Sequence, residues 1–69
     1  MTTKPNPPLY DVVAVNIESK LVRLIAEDKT LENAEAIVTM AVMRRGVDEE
    51  FFAEVPQGRY KEGDKWTGK

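Results

Sequence analysis

Acidic residues are the only side chains here that recur at spacings able to do chemistry. Asp48, Glu49 and Glu50 stand in a row, Glu27 and Asp28 form a pair, and Glu54 follows the first group closely. Carboxylates grouped in this way can hold a hard cation through oxygen ligands. They can also divide acid and base roles between two carboxyls whose surroundings differ. An enzyme built on them would draw its site from Glu27 with Glu54. Three successive acids between two elements are more often solvated charge, and Glu27-Asp28 stands where the positive end of a helix dipole favours acids. No metal site is expected.

Nucleophilic chemistry has little to work with. The 69 residues include no His and no Cys, so there is no imidazole base or ligand and no thiolate. Ser19 is the single serine. Lys20 beside it makes a Ser-Lys arrangement on paper, but neighbouring turn residues face solvent and have no pocket around them. No glycine-rich phosphate loop or dinucleotide fingerprint occurs, so no cofactor is expected. The chain reads as a non-enzyme.

One basic grouping exists. Arg44 and Arg45, with Arg59, Lys61 and Lys65, surround Tyr60 and Trp66. In composition this is a stacking-plus-charge surface for single-stranded nucleic acid, with Arg44, Arg59, Tyr60 and Trp66 as its contacts. Glu62 and Asp64 interrupt it. The whole chain carries 12 acids against 10 bases, a formal charge of −2, where a nucleic-acid binder normally shows a basic excess. Nucleic acid is therefore the alternative reading and not the first.

These groups must be positioned by a small number of elements. Residues 1–8 contain three of the four prolines and read as an extended, disordered leader. Leu9 to Ile17 is rich in Val and Ile and free of Gly and Pro, which predicts a strand; Leu21 to Glu27 predicts a second, joined by the polar Glu18-Ser19-Lys20 as a hairpin. Leu31 to Arg45 predicts a helix, with Thr30 as N-cap, Glu32 and Glu35 early, Arg44 and Arg45 in the last turn, and Gly46 as C-cap. Glu50 to Val55 predicts a third strand. Pro56-Gln57-Gly58, with Pro second in the turn and Gly fourth or nearby, and Lys61-Glu62-Gly63-Asp64 predict turns, with a short C-terminal hairpin as an option.

The fold expected is α+β, ordered β-β-α-β: a three-stranded antiparallel sheet, order 2-1-3, with one helix on one face. That order puts the most apolar strand in the middle. Residues 9–66 form the single domain and 67–69 a flexible C-terminus. A chain this short buries only about 60% of the surface its unfolded form exposes. Without disulfide or metal, good packing or association must supply its stability.

Apolar patterning points to association. At ~100° per residue, Leu31, Ala34, Ile37, Val38, Ala41 and Val42 share the helix face expected to meet the core, while Ala36, Met40 and Met43 fall on the opposite side. Both faces of the sheet are apolar too: Val13, Val15 and Ile17 alternate with Tyr10, Val12 and Ala14, Val22, Leu24 and Ala26 with Leu21 and Ile25, and Phe51, Ala53 and Val55 with Phe52. One helix covers one face. Met40, Met43, Ala36, Tyr10, Val12, Leu24 and Phe52 are thus the interface candidates, unless the segment carrying Tyr60 and Trp66 folds back over the sheet.

No apolar run approaches the ~20 residues of a membrane span, and residues 1–8 hold no apolar stretch of signal-peptide type. A cytoplasmic setting is expected. The functional expectation is a small non-catalytic interaction or regulatory module, homodimeric or bound to another protein, of the kind a bacterial or phage accessory protein provides.

Overall fold

A computed structural model describes residues 8–45 and 49–68. It contains β1 (Tyr10–Asn16), β2 (Val22–Lys29), α1 (Leu31–Arg45) and β3 (Glu50–Pro56). The three strands form one antiparallel sheet in the order β2-β1-β3, an α+β fold as the sequence predicts. The middle position goes to β1 because burial is greatest there. Val12, Val13, Ala14 and Val15 are all completely buried. The leader up to Pro7, the expected cap Gly46, and Asp48 lie outside the described residues.

Local chemistry sets the element ends. Thr30 Oγ1 accepts the Asn33 N–H at 3.2 Å, and the Thr30 carbonyl accepts the Ala34 N–H at 2.8 Å. Thr30 is therefore the N-cap, satisfying a donor that the first helical turn leaves open. Thr30→Ala is expected to remove about 1 kcal/mol, read as a melting midpoint roughly 4–8 °C lower by circular dichroism. An unchanged midpoint would mean that solvent serves the Asn33 amide equally well. At the hairpin, Asn16 Oδ1 accepts the N–H groups of Glu18 and Ser19, while Lys20 takes a left-handed conformation at φ 65° and donates to the Asn16 carbonyl. That asparagine supplies the turn signal where Asn-Gly is missing. After β3, Pro56 occupies the first position of its turn and Gly58 the third, not the second and fourth: Arg59 N–H donates to the Pro56 carbonyl, and Gly58 has φ 76°. A positive φ at the third position is what calls for glycine.

Two layers cover the sheet, one on each side. The register aligns Val13 with Leu24 and Ala53, and Val15 with Val22 and Phe51. This face forms the core cluster with Val55, and the C-terminal segment closes it with Tyr60 and Trp66. Trp66 stacks on Tyr60 at 5.1 Å between ring centres and meets Phe51 edge-on at 5.3 Å, both favoured aromatic arrangements. The same segment docks on the start of β2. Val22 N–H donates to the Asp64 carbonyl, Gly63 N–H to the Val22 carbonyl, and Trp66 N–H to the Lys20 carbonyl, each at 2.8 Å. Glu62 Oε1 accepts the next outward donor, Leu24 N–H. This part of the sheet edge, which would otherwise present open backbone groups, is thereby occupied. The segment makes turns and a bridge between Leu21 and Lys65, and Thr67 ties its end to the Tyr60 hydroxyl.

Helix α1 lies over the other face, that of Val12, Ala14 and Phe52. Here three expectations need correcting. The helical contact stripe is narrower than the six residues expected. Ala34 is fully buried and Ile37, Val38 and Ala41 are half-buried, but Leu31 and Val42 are 44% and 39% exposed. A three-stranded sheet is too narrow to shelter more of the helix. Ala26 does not keep company with Val22 and Leu24. Register shifts around Val12 leave Ile25 as an extra residue and pair Ala26 with Val12, and such a bulge flips the alternation beyond it. Nor do Val12, Leu24 and Phe52 form one open patch. Val12 and Phe52 are buried beneath α1, while Leu24 lies half-buried on the opposite face under the C-terminal segment.

Candidate functional site

The sequence-derived catalytic groupings do not assemble. Ser19 Oγ accepts the Leu21 N–H at 3.3 Å within an exposed turn, so its hydroxyl serves the backbone. Glu54 aligns with Val12, while Glu27 has no aligned partner, lying between Ala26 and Lys29 where the register shifts. Glu50 is committed to Arg23 through two bonds, Nη2 to Oε1 at 2.9 Å and Nε to Oε2 at 3.3 Å. That bond is the largest influence holding the Arg23 guanidinium above its ordinary proton affinity, against partial desolvation. Arg23 aligns with Ala14 and Glu50 with Asn16, so the pair spans β1 diagonally and clamps the two outer strands. It is part-exposed, which limits its contribution to roughly 1 kcal/mol. Among the described residues no three carboxylates come together in a way that could hold a metal ion.

The proposed nucleic-acid contacts are split across the molecule. Tyr60 is 3% exposed, its ring is stacked on Trp66, and the Arg59 guanidinium lies 4.7 Å from its centre. Arg44 projects from α1, on the far side of the sheet. Both ring faces of Tyr60 are occupied by its own chain. A base would have to displace core packing to stack there.

Ile17, Leu21 and Ile25 are exposed at the hairpin and on β2, but the most open apolar side chains stand on the helix. Met43 is 79% exposed and Met40 55%, with Ala36, Thr39, Glu32 and Arg44 exposed around them. Nine of the fifteen residues of α1 are apolar, and Ala36, Met40 and Met43 carry apolar surface onto the side turned away from the sheet, beside the polar strip of Glu32, Glu35 and Thr39. A surface helix normally keeps that side polar. Beside it a groove of about 290 Å³ runs between α1 and β2, floored by Phe52 and Ile25, walled by Ile37 and Met40, and ended by Arg23 and Arg44. Of the seven interface candidates, Met40, Met43 and Ala36 share this open face; Tyr10 is half-buried at the far end of β1.

One residue important to the fold escaped the sequence reading. Asp11 sits in the central strand, 3% exposed, and its two carboxylate oxygens accept the Asp28 N–H at 3.2 Å and the Gly58 N–H at 3.0 Å. Asp28 in turn accepts a bond from the Gln57 side chain. An acid inside the apolar run LYDVVAVNI is a signal that a buried partner must exist, though not which one.

The site is thus an exposed helix face, partly apolar, on a small α+β domain whose sheet is covered on both sides. Comparison with protein families, with curated proteins and with solved structures finds no match to this chain. Among the described residues no helix is long and apolar enough to cross a membrane.

Proposed function

We propose that this chain is a small non-catalytic association module, working in the cytoplasm and binding through the outer face of α1, in the first place to a second copy of itself. The observation that carries this reading is the helix itself. The C-terminal segment already shelters one side of the sheet and α1 the other, and Met40 and Met43 are the most exposed of the large apolar side chains, together on the outer face of α1. A fully buried side chain of this size is worth about 1.5–3 kcal/mol, and covering both in each of two copies yields several kcal/mol. That is comparable with the whole stability of so small a domain. Methionine also suits such a surface, being flexible enough to fit an irregular partner. A single-strand-binding role has less to support it, because its aromatics are built into the core.

The test is the mass in solution by light scattering, over micromolar to millimolar concentration. The wild type is expected to approach twice the chain mass, and Met40→Glu or Met43→Glu to return it to the chain mass with an unchanged far-ultraviolet spectrum. Val12→Glu should behave differently and unfold the chain, because Val12 lies wholly under α1. A wild type that stays at the chain mass throughout would overturn the proposal.

A further inference from the structure

Every fourth residue along the exposed side of α1 forms one ridge: Glu32, Ala36, Met40 and Arg44, all exposed. The ridge has an acid at one end, a base at the other, and a small and a large apolar side chain between them. Neither Glu32 nor Arg44 has a hydrogen-bond or ion-pair partner among the described residues. They cannot satisfy each other within one chain, since a rise of 1.5 Å per residue puts them roughly 18 Å apart along the axis. The midpoint of the helix is Val38, and the four residues are disposed evenly about it, Glu32 against Arg44 and Ala36 against Met40.

Resting on the self-association reading above, we infer that two copies of the chain pack their α1 helices antiparallel about a two-fold axis that meets the ridge between Ala36 and Met40, at the height of Val38 along the helix. Each Met40 then lies over the Ala36 of the second copy, and each Glu32 faces its Arg44. A two-fold interface must be complementary to itself, and this ridge is so in both size and charge. Ridges of residues four apart interdigitate in the commonest class of helix packing, with axes crossing at about −50°. That geometry runs the two ridges side by side, keeping their charged ends adjacent. A parallel arrangement would instead set acid against acid and base against base. The occupant is therefore a second copy, and its direction is fixed by charge.

Charge reversal in mixed pairs tests this. Glu32→Arg alone places two bases opposite each other at both ends of the dimer, and Arg44→Glu alone places two acids there. Each variant is expected to self-associate about tenfold more weakly than wild type. An equimolar mixture of the two restores opposite charges at both ends, so its association, followed by sedimentation equilibrium at low salt, is expected to return to the wild-type level. The effect on folding is small because both positions are exposed, and circular dichroism of each variant checks it. Failure of the mixture to associate better than either variant alone overturns the antiparallel pairing. If Met40→Glu still dissociates the wild-type dimer in that case, association through α1 stands and only its geometry is wrong. A wild type that never dimerises removes both.

Discussion

Tyr60→Ala is expected to lower stability by about 3–5 kcal/mol, the usual loss when a large buried aromatic is cut back to a methyl group. A domain of this length holds roughly 5 kcal/mol in total, so the variant should be largely unfolded near room temperature. The reason lies in what Tyr60 touches. Its ring is the platform on which Trp66 stacks, and together they close the face formed by Val13, Val15, Val22 and Val55. Removing the ring leaves Trp66 without its stacking partner and opens the core to water. Tyr60→Phe separates the ring from the hydroxyl. It loses the contacts of the hydroxyl with the Thr67 side chain and amide, worth about 0.5–1.5 kcal/mol each. Urea denaturation followed by circular dichroism gives both values. A Tyr60→Ala variant within 1 kcal/mol of wild type would mean that the C-terminal segment rests on the sheet without stabilising it.

Asp11→Ala is expected to cost about 2–5 kcal/mol. The carboxylate joins two segments that are remote in sequence, the end of β2 through Asp28 and the turn after β3 through Gly58. Deleting it leaves two amides without their acceptor, at roughly 1–3 kcal/mol for each buried donor left unmade. Asp11→Asn keeps one acceptor oxygen of nearly the same shape. It should lose one of the two bonds and fall between alanine and wild type. Amide hydrogen exchange distinguishes this from general destabilisation: protection at Asp28 and Gly58 should drop more in Asp11→Asn than protection at Val13 or Val15. A uniform drop across all four amides would contradict the local role given to this carboxylate.

The parts of this protein that could be read from residue order are those governed by neighbours in the chain. The bounds of α1 follow from Thr30 at one end and an uninterrupted run to Arg45. The strand order follows from β1 being the most apolar of three. The outward position of Met40 and Met43 follows from helical periodicity alone. The pairing of Arg23 with Glu50, by contrast, depends on their meeting across β1 from the two outer strands of the sheet. The place of Ala26 depends on a bulge that no pattern of apolar and polar residues announces, because both faces of this sheet are apolar and a slip of one residue carries little penalty in composition.

Sequence alone determined the α+β class, the helix with its cap, the absence of any His or Cys chemistry, and the excess of apolar surface over what one helix can cover. Only the tertiary structure decided where that excess ends up. Composition alone leaves Tyr60 and Trp66 readable as a lid or, second, as a stacking surface, since an aromatic beside basic residues has the same composition in either role. The choice depends on whether the turns at Gly58 and Gly63 bring the chain back over Val13 and Val15, and that is settled by contacts between residues far apart in the chain. Once they do, both sides of the sheet are covered, and the most exposed apolar side chains are Met40 and Met43 on α1, with Ile17, Leu21 and Ile25 exposed at the hairpin and on β2.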